Sequence, residues 1–191
     1  MVSSAVYRYF PTREDLLTAL ILEAYGALAE ALSASEMPDS PGIPGADRWT
    51  ALAGALREWA LDHPHEFQLI YGTPIPGYVA PPETIPAAAA VAAPFLACVG
   101  SAWVDGFESF DGDGDAAGEG LRAVPEEFGI PTSTAAAVVA AISELVGLAA
   151  HELAGYFVGM ADPADQLYDA VVCGQVRRLG LGPESGDRAG A

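Results

Sequence analysis

The sequence contains no lysine. Its eight basic residues are all arginine, set against 26 acids for a formal charge of -18 over 191 residues. Nucleic-acid binders present a basic face, and a body of this charge repels a phosphate backbone. Broad duplex binding and attachment to an anionic membrane are both excluded for the bulk of the chain. Cysteine is scarce too. Cys98 and Cys173 have neither CxxC nor His-linked spacing, which excludes a disulfide framework or a zinc site and suits two reduced, buried thiols in the cytoplasm. Of the three histidines, His63 and His65 flank Pro64 in a turn, and no Ser–His–Asp or Cys–His spacing stands out. Asp111, Asp113 and Asp115 begin like a calcium loop, but the sixth position is Ala116 and the twelfth Arg122, where Gly and Glu are required. No catalytic residue, metal or cofactor is expected, and no basic segment precedes an apolar run to make a secretory signal. The charge-free run 84–104 is mostly alanine, is broken by Pro86, Pro94 and Gly100, and lacks basic flanks, so it reads as a core helix rather than a membrane span.

What is there is helical periodicity. Thr12, with Asp15 three residues on, is a near capping box. Leu16, Leu17, Leu20, Ile21, Ala24, Leu28 and Leu32 follow at three- and four-residue intervals, predicting one helix over 12–35. Pro38, Pro41, Gly42, Pro44 and Gly45 end it. Trp49, Leu52, Ala53, Leu56, Trp59 and Ala60 share the face of a second helix over 47–63, and a short third helix runs over 64–71. The proline-rich stretch 72–86 is a loop. An alanine-rich helix over 87–107, kinked near Pro94, and an acidic, Gly-rich mobile loop over 108–131 come next.

The segment 132–160 is apolar nearly all round, and such a helix must be covered on every side, which predicts contact with a second subunit. Gly147, His151 and Gly155 fall four apart and would allow close helix approach. The last helix is predicted to start at Asp162 as N-cap with Pro163 in the first turn, and to end with Arg177, Arg178 and the stop Gly180. Its inner face would be Leu167, Ala170, Val171, Gly174 and Leu179. The chain thus divides into a short head (1–11), a helical body (12–181) and a disordered tail (182–191).

The head carries the strongest motif. Ser3, Ser4 and Ala5 are small enough to let a helix backbone sit deep in a groove. Tyr7, Arg8 and Tyr9 offer donors to phosphates and base edges. The run Ala5-Val6-Tyr7-Arg8-Tyr9-Phe10-Pro11-Thr12-Arg13 with Leu16-Leu17 resembles the recognition helix and linker helix of the TetR family of transcriptional regulators. His63-Pro64-His65-Glu66-Phe67, Leu69-Ile70-Tyr71-Gly72-Thr73-Pro74 and Pro76-Gly77-Tyr78 resemble the WHG-type C-terminal domain of an actinobacterial TetR subfamily. Of the Trp, His and Gly that name that domain, only Gly147 is kept; Ile142 and Val146 occupy the other two slots.

The resemblance implies an all-α, TetR-like fold: the remnant of a helix-turn-helix head, then a helical ligand-binding and dimerisation domain. It implies a ligand-responsive transcriptional regulator of the repressor kind, not an enzyme. Two helices precede the recognition helix in that family and brace it against the groove, so the head is expected to be incomplete, with operator DNA a partner only if those helices are restored. The alternative is a ligand-binding and dimerisation module that pairs with a full-length relative and never touches DNA. The residues implied are Ser3, Ser4, Ala5, Tyr7, Arg8, Tyr9 and Arg13 for DNA. Trp59, Phe67, Tyr71, Trp103 and Phe107 would line a pocket for a small apolar or aromatic effector. Leu145, Leu148, His151, Glu152, Gly155, Leu167, Val171 and Gly174 would form a homodimer interface in a four-helix bundle.

Overall fold

The computed structural model describes residues 8–35, 45–99, 104–111 and 118–182. Thr12 starts the first helix by a reciprocal exchange. Its hydroxyl accepts from the Asp15 amide at 3.0 Å, and its own amide donates to the Asp15 carboxylate at 3.0 Å. Two orphan donors of the helix end are satisfied by this box, and α1 (Arg13–Ser35) follows. Then come α2 (Gly45–Asp62), α3 (Pro64–Tyr71), α4 (Thr84–Cys98), α5 (Glu119–Phe128), α6 (Thr132–Leu153) and α7 (Asp165–Arg178), with a 3-10 turn at Glu108–Phe110. No strand occurs among the described residues, and the fold is all-α as the sequence implies.

α2 and α6 are the hubs. α1 lies on α4, α2 and α3, while α2 also meets α4, α6 and α7. The predicted stripe Trp49, Leu52, Ala53, Leu56, Trp59 and Ala60 is buried throughout. Trp49 sits edge-on to Phe95 of α4, ring centroids 5.1 Å apart, a favoured aromatic geometry. α1 and α6 are long and apolar enough to span a bilayer by length and composition, yet each lays a face on this core, α1 through Ile21, Ala24, Leu28 and Leu32.

Several predicted boundaries are corrected. α4 opens at Thr84, tolerating Pro86 in its first turn where amides lack intrahelical acceptors anyway, and Val99 is extended, so the helix does not reach 107. The stretch read as an acidic loop contains α5, whose Leu121, Val124 and Phe128 recur at helical spacing and pack on the core. α6 ends at Leu153, because Gly155 turns left-handed (φ 74°). The Gly155 amide donates to Glu152 O and the Tyr156 amide to His151 O, both at 3.0 Å, the paired bonds of a Schellman stop. The same device ends α7 at Gly180 (φ 66°), with Leu181 donating to Val176 O, as the sequence predicts.

α7 itself starts at Asp165 with Ala164, not Asp162, at its N-cap. Its buried face is Tyr168, Val172 and Gln175, about one residue round from the predicted face. Leu179 is buried as predicted, but Leu167, Val171 and Gly174 are only half-buried and Ala170 is exposed. Apolar count misplaced this face, since two of the buried residues carry polar atoms whose partners lie in other helices. Cys98 is buried as expected, whereas Cys173 is exposed.

Candidate functional site

The residues expected to contact DNA lead into the N-terminus of α1. Ser3, Ser4, Ala5 and Tyr7 lie outside the described residues. Arg8 and Tyr9 occupy an exposed turn, Tyr9 at 78% exposure, and Arg13 is exposed at the first position of α1. Burial along α1 is graded. Leu16 and Leu17 are half-buried and Leu20 is 41% exposed, whereas Leu28 and Leu32 are fully buried. Among the described residues, a 3.0 Å hydrogen bond between the hydroxyls of Thr18 and Tyr78 ties the free half to the loop before α4.

The expected pocket aromatics split: Phe67 and Tyr71 touch, while Phe107 lies apart. Trp59 and Phe67 are buried in the core, Trp59 stacked on His63 at 5.3 Å. Phe67 tilts against Tyr71 at 5.3 Å, and Tyr71 meets Tyr25 edge-on at 6.1 Å. Burial, with Tyr25 adding to it, pushes the Tyr71 phenol well above its ordinary pKa. Phe107 lies apart, half-buried on a cleft of about 740 Å³ between α6 and the end of α7. Trp103 is outside the described residues. A second, more apolar cleft of about 640 Å³ separates α5 from α4. Both volumes fall in the range of small-molecule sites.

The most organised polar geometry is one that sequence reading missed. Arg57 of α2 clamps Glu152 of α6 with two bonds, Nε to Oε2 at 2.8 Å and Nη2 to Oε1 at 2.7 Å, and reaches Asp165 at the head of α7 at 2.6 Å. Its guanidinium also lies 5.4 Å from the Tyr168 ring centroid, within cation–π range. Arg57 and Glu152 are only 17% and 18% exposed, so this bidentate pair is stronger than a surface one. Nearby, Tyr168 donates to Ala53 O at 2.9 Å.

Deeper in, Trp49 Nε1 donates to Gln175 Oε1 at 3.0 Å, and Gln175 Nε2 donates to Ala141 O and Glu144 Oε2, each at 3.0 Å. Arg178 donates to the same Glu144 oxygen at 2.6 Å. Partial burial opposes the Glu144 charge, but the bonds from Gln175 and Arg178 outweigh it and hold the carboxyl below its ordinary pKa. Together these contacts form a polar seam binding α2 to α6 and α7. The one local signal for it is Gln175, a polar residue at a core register position.

The seam also relocates some residues expected at a subunit interface. Leu145 is fully buried inside this chain's own core. Glu152 is engaged by Arg57, and Gly155 is the α6 stop rather than part of a helix–helix seam. Leu148, Leu167, Val171 and Gly174 are half-buried, and His151 is exposed with its ring edge-on to Tyr156. Just past the end of α6, Tyr156, Val158 and Met160 are large, apolar and exposed. At the N-terminus of α6, where Pro131 offers no side-chain cap, the Asp111 carboxylate accepts from the Ser133 amide at 2.8 Å.

Comparison with known proteins places this arrangement. The family profile described as tetracyclin repressor-like, C-terminal domain, matches residues 49–174, from the first core tryptophan to the last turns of α7. HTH-type transcriptional regulators Rv1816 of Mycobacterium tuberculosis and Mb1846 of Mycobacterium bovis are each 45% identical over 83 residues, covering 44% of this chain and 35% of the relative. The chain thus matches about a third of the length of these curated relatives. The crystal structure of SCO4313, a protein described as regulatory, superposes with a TM-score of 0.65 at 31% identity, covering 93% of this chain and 80% of that one. With all-helical architecture and a profile match from α2 to α7, the chain belongs to the tetracycline repressor-like family.

Proposed function

We propose that this protein is a ligand-responsive transcriptional regulator of the repressor kind, acting in the cytoplasm as a homodimer. The observation that carries the reading is continuity. The family match runs over α2–α7, and α1 rests on three of those helices while its exposed Arg8–Arg13 end projects from them. In this reading residues 1–11 and the start of α1 face DNA, with Ser3, Ser4, Ala5, Tyr7, Arg8, Tyr9 and Arg13 making the contacts. The body over 12–181 senses a small molecule, and the half-buried faces of α6 and α7 (Leu148, Leu167, Val171, Gly174) pair across a two-fold axis. A ligand that fits one arrangement of the body better than another shifts the population between them, and α1 carries that shift to the spacing of the two DNA-facing ends.

A mobility-shift assay with DNA bordering the gene tests the output. A discrete shift that survives competitor DNA and weakens steeply with salt is expected once the two helices that precede the recognition helix in the family are joined to residues 1–11; its absence at low salt from that longer chain overturns the DNA-binding reading. Light scattering should give twice the chain mass of 19.7 kDa, and a concentration-independent monomer would contradict the dimer.

A further inference from the structure

The cleft beside Phe107 has a polar feature that the seam does not use. It lies between α6, the end of α7 and the segment after Val104, with Val104, Phe107, Ala137, Ala141 and Leu179 as apolar walls. Two arginines line it. Arg178 is committed to Glu144 at 2.6 Å. Arg177 has no hydrogen bond or ion pair among the described residues, in a chain with 26 acids to offer. A guanidinium left open beside apolar walls suits a carboxylate, which it grips through paired N–H donors.

The rest of the cleft sets the charge of the guest. Glu144 and Asp105 also line it, and the carbonyl end of the α7 dipole points the same way. One negative charge is balanced by Arg177; a second would meet two carboxylates and the field of a strongly acidic protein.

We propose that this cleft binds an amphipathic monocarboxylate, its head on Arg177 and its apolar body against Phe107, Val104 and Leu179. The proposal rests on the reading of the body as a sensor and names the chemical class of its effector. Glu144 joins the cleft to Gln175 and Trp49, so a guest that draws on this group of charges acts on the contact between α7 and α2.

Calorimetry on the intact protein with decanoate, 1-decanol and decyl phosphate tests the site. Decanoate should bind on the order of tenfold or more tighter than either, the worth of one charge-assisted contact. Arg177→Gln should lower decanoate affinity by about that factor and leave decanol unchanged, with Arg177→Lys recovering part of the loss. Ala140, exposed on the cleft wall, offers a second variant that spares the core: Ala140→Trp should weaken decanoate with unchanged helical circular dichroism. Decanol binding as tightly as decanoate, full decanoate affinity in Arg177→Gln, or no decanoate binding would each overturn the proposal. If the specific DNA shift persists in those cases, the regulator reading survives without this site. If decanoate binds as expected and no DNA shift occurs, the site stands and the DNA-binding reading fails.

Discussion

The free end of α1 and the seam where α2 meets α6 and α7 are held by different physics. At the free end the polar contacts are few and lie at the surface: the local Thr12–Asp15 box and one hydroxyl bond reaching across to Tyr78, around leucines that are half-exposed. At the seam they link residues far apart in the chain, Trp49 with Gln175 inside the packed core and Arg57 with Glu152 at its edge. Loss of a local contact frays a helix end; loss of a seam contact removes support from three helices together. The contrast fits a body that keeps its shape and a linker free to change direction.

That contrast can be broken at either side. The largest effect is expected from Trp49→Ala, which empties a fully buried site and strips Gln175 of its donor; a loss of about 3–5 kcal/mol in urea unfolding is predicted. Arg57→Met should cost about 1–3 kcal/mol, since it leaves Glu152 and Asp165 without their shared partner. A double-mutant cycle with Glu152→Gln should show strong coupling between the two. Thr12→Ala should cost about 1 kcal/mol of local helix stability, visible as faster amide exchange at the start of α1 with little change in the seam.

The smallest effect is with pH. Glu144 is held below its ordinary value of 4.5 by the bonds from Gln175 and Arg178 that outweigh its burial, and Asp111 below 3.8 by its bonds to Ser133. Carboxyls with depressed folded pKa values stabilise fully above their unfolded values and lose that contribution as pH falls through the folded ones. Thermal melts should therefore weaken below about pH 4.5, the ordinary Glu value, and Glu144→Gln should flatten part of that slope.

Sequence was most legible where structure is set by neighbours. The Thr12 cap, the face of α2, the Pro64 break and the Gly180 stop depend on residues within a turn or two of each other. α5 was hidden because glycines and acids around Leu121, Val124 and Phe128 outweigh the three-residue stripe. The end of α6 was hidden because the apolar run continues past Gly155 through Phe157 and Met160, so hydrophobicity gives no stop. The face of α7 was misread because Tyr168 and Gln175 are buried by partners more than thirty positions away. The site followed the same rule. Aromatic character marked Trp59 and Phe67 as pocket candidates when they are core, while Arg57, 95 positions from Glu152, gave no local sign of its role.

Hydrogen exchange along α1 tests the lever directly. Amides near Leu28 and Leu32 should exchange only as slowly as those of α2, in the global unfolding reaction, while those near Leu16 and Leu20 open locally at much lower free energy. Uniform protection from Arg13 to Ser35 would contradict a linker anchored at one end and free at the other.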